Sequence, residues 1–315
     1  MRSKLIANPW AGRKGGLATN SATPDDARAA LAAYGIAPDV ELTQGPGHAT
    51  ELARAAAFAG YDRVIAAGGD GTVREVAIGL LGSGAPLGIM PLGSFMNVAH
   101  MLGIPRDVYG AAAIIAGDEL ASIDVGRAGD HYFLEAAGAG LDAALFRYTN
   151  SLDQGRWGVL GRAVRVALTY RPQRVVVEMD WWTVELDAMM VTIANGPYCG
   201  ASFTVAPHAV ADDHLLDIRV YGPMSKWSLL RRLVWPDSGA GSACVSAFKA
   251  RDVRISAPRP LPGHADSVSI GVTPLRFSLI PGALAVFVPA ELRARHAALS
   301  HPPTHAYPYA EAPAS

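Results

Sequence analysis

The chain has 315 residues, half of them apolar, with a net charge of −1 and a pI near 6.8. That length suggests about two domains with ample core material, and the charge balance removes any general electrostatic case for nucleic acid. No run reaches the roughly 18 apolar residues of a membrane span, and MRSKLIANPW has too short an apolar run for a signal-peptide core.

The two cysteines, Cys199 and Cys244, show neither metal-ligand spacing nor a disulfide framework. Both read as small buried residues in a reducing compartment.

In chain order, Lys4–Ala7 reads as a strand ending at Asn8-Pro9, followed by the loop NPWAGRKGG with cations at Arg13 and Lys14. Taken alone, that loop is as readily an exposed basic turn as a phosphate-facing one. An Ala-rich helix over Pro24–Tyr34, a strand over Val40–Thr43 and a helix over 50–59 come next. The run Val64–Ala67 then breaks into Gly68-Gly69-Asp70-Gly71-Thr72, and helical spacing resumes over 73–81. Leu87–Pro91 is another strand, followed by LGSFMNVAHMLGIP and a helix over 107–116. Alternating strands and helices argue a parallel sheet covered on both faces.

From about residue 123 short strand-like runs take over: 122–127, 131–137, 174–179, 183–194, 216–221, 252–256, 275–280 and 285–288. One helix, about 156–170, interrupts them. The second half is therefore expected to be an all-β sandwich or closed sheet. The expected division is 1–122 for the α/β domain and 123–296 for the β-rich domain, with a Pro-, Ala- and Ser-rich disordered tail over 297–315.

The strand, Gly-rich turn and helix around GGDGT let backbone N–H groups approach an anion, and the helix start adds a partial positive charge. A tight glycine-rich turn without a ligand is the bland alternative. Asp70 is unusual beside a phosphate unless it holds a cation or accepts a hydroxyl hydrogen bond.

Six segments in order resemble the diacylglycerol kinase catalytic family, which includes bacterial lipid kinases and sphingosine kinases, within a superfamily shared with NAD kinases. They are NPWAGRKGG, GGDGTVREVAIGL, PLGSFMNVAHMLGIP, SIDVG, NGPYCGASFTVAPHAVADDHLLDIRVYG and DSVSIGVTPLRFSLIPGALAVFVP. The resemblance implies an α/β domain, a β-sandwich-like domain and an active site in the cleft between them. It implies nucleotide binding by Asn8, Gly12, Gly69, Asp70, Gly71, Thr72 and Ser94, with Arg13 or Lys14 neutralising phosphate. Glu75 either binds nucleotide or caps and pairs on its helix. Asp266 falls on the family's acceptor base, with Asp70 beside the nucleotide as the second catalytic carboxylate.

The implied reaction transfers the γ-phosphate of ATP, with Mg²⁺, to a hydroxyl of diacylglycerol or a related lipid at a membrane surface. Asn97, Asp213 and Val268 stand where relatives carry three network acids, so Asp213 and Asn97 are what remains of a metal site; His214 and Ser267 replace glycines. The alternative is a catalytically weak or inactive nucleotide- or lipid-binding regulator on the same fold. The expected location is cytoplasmic, peripheral to the inner membrane surface, and compatible with a homodimer. The arginine-studded apolar helix 156–170 and the segment 227–235 read equally well as membrane-facing elements and as core helices with a solvated edge.

Overall fold

The computed structural model describes residues 1–14, 17–153, 157–234 and 244–292. The chain divides into two units: Met1–Asp124 together with the chain from Gly282, and Val125–Pro281. The tail expected to be disordered lies outside the described residues.

The first unit is a parallel α/β sheet. Strands β1 (Ser3–Ala7), β2 (Asp39–Leu42), β3 (Arg63–Gly68) and β4 (Leu87–Pro91) lie in the order β4-β3-β1-β2. Their connections carry helices α1 (Pro24–Ala33), α2 (His48–Phe58) and α3 (Asp70–Leu80); α4 (Asn97–Met101) and α5 (Val108–Ala116) follow β4. Strands β3 and β4 are buried along their whole length, as expected for a sheet covered on both faces. Leu5, Ile6, Ile65 and Ile89 form its centre, with Val73, Val76 and Leu80 of α3 buried as well. Thr23 and Asp26 close a reciprocal capping box on α1, and Asp107 caps α5 through the Gly110 N–H at 2.6 Å.

The second unit opens with β5 (Leu120–Ala128), whose first residues belong to the first unit, β6 (His131–Phe133) and β7 (Ala136–Gly140). Helices α6 (Leu141–Asp153) and α7 (Leu160–Thr169) follow, then β8 (Gln173–Met179), β9 (Trp182–Ala188), β10 (Met190–Ala194), β11 (Leu216–Tyr221) and α8 (Lys226–Val234). The unit ends with β12 (Val245–Ala250), β13 (Asp252–Ser256), β14 (Pro262–Ala265), β15 (Val268–Val272) and the start of β16 (Leu275–Phe287). One antiparallel sheet runs β9-β8-β13-β16 and the other β12-β11-β10-β7-β14-β15. Val175, Val177, Val253, Ile255 and Phe277 from the first share one core with Val191, Ile193, Ile218 and Val220 from the second. The alternating burial of β8 and β13 gives each strand one face for that core. This is a sandwich.

Four expectations change. Helices α6 and α8 join the single one expected in the second half. The run 183–194 is two strands, β9 and β10, which join different sheets; no Gly, Pro or Asn marks where the chain turns. Cys244 is exposed and only Cys199 is buried. The chain from Gly282, read linearly as part of the second domain, returns to the first unit, where Val286 of β16 pairs parallel to Leu87 of β4.

Candidate functional site

Three loops at the carboxyl ends of β1, β3 and β4 carry the residues expected to bind nucleotide. That end of a parallel sheet is where open α/β folds place ligands. Asn8 follows β1; its Nδ2 donates to Thr72 Oγ1 at 3.3 Å, and its Oδ1 accepts from the Trp10 N–H at 2.9 Å. Gly12 has φ +74°, and a Cβ there would lie 2.8 Å from the Asn20 carbonyl oxygen and 2.9 Å from that of Leu92. No other residue fits. Arg13 lies on a two-residue strand paired with Leu17–Ala18; its side chain is outside the description.

Gly69 is the N-cap of α3 and makes no side-chain cap hydrogen bond. The sequence spacing starts this helix at 73, but it begins at Asp70, because an aspartate, one glycine and a threonine still permit helical backbone once the turn is made. A Cβ on Gly93 would come within 2.4 Å of Gly69 Cα, so glycine at 93 permits the β3 and β4 loops to touch backbone to backbone. Asp70 ties the same two loops: its Oδ1 accepts from the Val98 N–H at the start of α4 at 3.1 Å. Burial pushes its carboxyl above the ordinary value, against backbone donors from Val98, Asn97, Met96 and Asp70 itself.

Asn97 is buried in the first turn of α4. Ser94 Oγ is hydrogen-bonded to Thr19 Oγ1, and the Ser94 carbonyl accepts from Arg106 Nη2 at 2.6 Å. Glu75 caps the neighbouring helix α2 in place of its own. Its two carboxylate oxygens accept from Gly47 N–H at 2.9 Å and Ala49 N–H at 3.3 Å at the start of α2, where Gly47 supplies no side chain of its own.

In the second unit Asp266 and Ser267 form the turn between β14 and β15, with φ 44° and 64°. Asp266 Oδ2 accepts from the Leu134 N–H at 2.8 Å, and Oδ1 from Glu135 and Ala136 at 3.0 and 3.1 Å. Asn195, fully buried, donates to the Leu134 carbonyl at 3.1 Å and so braces the cradle. Cys199 is buried in the same unit. Its thiol is pushed well up by burial first, then by the charges of Glu135, Asp142 and Asp266.

Asp213 fits a divalent cation poorly. Lys249 Nζ lies 2.6 Å from its Oδ2, and the Leu215 N–H donates to its Oδ1 at 3.0 Å. The same ammonium lies 3.2 Å from Oδ2 of the buried Asp217, with Arg219 at 3.6 Å from the other oxygen. Position 268 offers only the hydrocarbon of a valine. Among the described residues no group of three or more His, Cys, Asp or Glu is arranged to hold a metal.

Thr19, Asn20, Arg106, the Leu134–Ala136 amides, Asn195 and Lys249 escape a reading of the sequence. All act through backbone groups or across strand pairs, and neither leaves a local motif.

Residues 2–128 match the diacylglycerol kinase catalytic domain model, and residues 135–288 the YegS C-terminal NAD kinase beta sandwich-like domain model. A protein of Chromohalobacter salexigens named a "probable lipid kinase YegS-like" is 30% identical over 264 residues, 79% of this chain and 83% of that one. One of the same name from Pseudomonas aeruginosa PAO1 is 32% identical over 281 residues, 84% of this chain and 90% of its own. The crystal structure of a diacylglycerol kinase from Bacillus anthracis has the same fold, with a TM-score of 0.73 at 23% identity, covering 92% of this chain and 98% of that one. On sequence matches that run through both units, the chain belongs to the YegS-like lipid kinases of the diacylglycerol kinase catalytic family.

Proposed function

We propose that the protein transfers the γ-phosphate of ATP to a hydroxyl of diacylglycerol or a related membrane lipid. The observation that carries this reading is Asp266, a carboxylate aimed by three backbone N–H donors in a turn where two non-glycine residues adopt left-handed backbone. Both residues take the left-handed backbone of a two-residue hairpin turn, Ala265 pairing with Val268, and that turn holds the Asp266 carboxylate within reach of the three amides.

In this reading the loops after β1, β3 and β4 hold the triphosphate, with the uncapped amides of α3 toward its oxygens. Asp70 positions those loops by fastening the GGDGT turn to α4. The Mg²⁺ that travels with ATP is part of the substrate, and no separate protein-held metal is required. The lipid oxygen attacks the γ-phosphorus, the bond to the β-phosphate oxygen breaks, and ADP leaves. The hydroxyl proton passes to Asp266 late in a loose transition state, so a weak base suffices.

The test is transfer of labelled γ-phosphate from ATP into a lipid extract with Mg²⁺, beside an Asp266→Asn variant. The expected result is a labelled lipid in the wild type, reduced roughly 10²–10⁴-fold in the variant. No labelled lipid, with ATP still raising the melting temperature, would replace the kinase by a nucleotide-binding regulator.

A further inference from the structure

The end of α7 meets the start of α8 in the second unit. Lys226 Nζ, at the start of α8, donates to the Tyr170 carbonyl at the end of α7 at 2.6 Å and sits 5.7 Å from the Tyr170 ring centre. Val166 from α7 and Leu229 from α8 turn inward onto one cluster with Leu141, Met189, Met190 and Tyr221. At about 100° per residue, Val164 and Leu168 then fall opposite Val166, with Leu160 one turn before them. On α8, Trp227, Leu230 and Val234 fall on the side away from Leu229.

The exposures agree. Leu160, Val164 and Leu168 are 46%, 48% and 69% exposed, and Trp227, Leu230 and Val234 are 73%, 43% and 41%. No residue of α7 is buried. Stripes of large apolar side chains left in water on two adjoining helices need an occupant.

Charge identifies that occupant. Residues 157–173 and 222–234 each contain three Lys or Arg and no Asp or Glu, in a chain whose net charge is −1. Exposed Arg165, with Arg162 beyond it, edges the α7 stripe, and exposed Arg231 edges that of α8. A second copy of the chain presenting the same face would set these cations against each other. A bilayer rich in anionic headgroups offers acyl chains to the stripes and phosphates to their edges.

We propose that the outward faces of α7 and α8 form one surface that docks on an anionic membrane. The inference rests on the lipid kinase reading and adds the face by which the chain reaches a substrate held in a bilayer.

Flotation with vesicles of phosphatidylcholine alone, and of phosphatidylcholine with phosphatidylglycerol, tests it. The wild type is expected to float with the anionic vesicles. Arg165→Gln with Arg231→Gln should weaken that binding about fivefold per arginine. Trp227→Ser with Leu168→Gln should weaken it roughly tenfold or more. Unchanged melting temperatures will show that these surface variants fold. Both pairs should slow phosphate transfer to lipid in vesicles and spare transfer to a short-chain lipid dissolved as monomers.

Wild type that ignores anionic vesicles, variants that bind as well as wild type, or an oligomer dispersed by the Trp227/Leu168 pair would each overturn the proposal. Vesicle binding lost in the variants, with no transfer to any lipid, would uphold the docking face and remove the kinase. Transfer to the short-chain lipid without vesicle binding would do the reverse.

Discussion

Burial holds the Asp70 carboxyl above the ordinary carboxylate value, and the amides of Val98, Asn97 and Met96 offset that only in part. The unfolded chain loses this proton at the lower, ordinary pKa. Between the two values the unfolded form binds fewer protons than the folded one, so stability falls as pH rises. Above both, the ionised group is a standing cost. Asp70→Asn keeps an oxygen for the Val98 N–H and removes the charge. It should raise the melting temperature near neutral pH, by about 2–4 °C for each kcal/mol relieved. The gain should vanish as pH falls through the Asp70 pKa toward about 4. Thermal scans across that range decide the matter, since a gain independent of pH would mean that burial of charge is not its source. The amide keeps the tie to Val98 between the two loops proposed to hold nucleotide, so nucleotide binding should change less than stability does.

Pairing between β11 and β12 sets Asp217 directly opposite Lys249, and Asp213, at the turn into β11, reaches the same ammonium. Burial pushes the Asp217 carboxyl up although Lys249 and Arg219 pull it down, so this strand pair depends on its cations. Lys249→Met should cost roughly 1–3 kcal/mol, below the range for deeply buried pairs because Lys249 is partly solvated. Mg²⁺ should restore part of the loss in the variant, where two carboxylates are left without an ammonium. Melting curves with Mg²⁺ and with a chelator should coincide for the wild type and separate for the variant.

Such a pair also marks where a sequence stops being readable. The strands and helices of the first unit follow from long, regular patterns, and GGDGT was legible as the break between strand and helix, although the helix takes up Asp70, Gly71 and Thr72. Register was not, so neither Lys249 against Asp217 nor the amides of Leu134–Ala136 against Asp266 could be foreseen. Glu75 left two roles open because its partners, the amides of Gly47 and Ala49, belong to a different helix. The strands β9 and β10 merged into one run, since both are β-formers and Met189 between them is no breaker.

For the whole molecule the decisive element is β16, which pairs with β13 over Leu275–Ser278 and with β4 at Val286. Past Pro281, Gly282 N–H donates to Asp124 Oδ1 at 2.7 Å, and Val286, Phe287 and Val288 are buried in the first unit. A chain cut after Asp124 would contain every residue proposed to hold the nucleotide and still leave the β4 edge unpaired and its apolar neighbours bare. It should aggregate or fold weakly. Supplying residues 282–292 through a flexible linker should restore a cooperative thermal transition, and soluble yield with circular dichroism would report either result.

The ribosome meets the same difficulty. Translation delivers Leu87 long before Val286, and at ~5–20 residues per second the interval is on the order of ten seconds or more. During that time the nascent chain holds an unfinished parallel sheet with an open edge. A chaperone that shields this edge early and releases it late would matter more to yield than one acting on the finished chain.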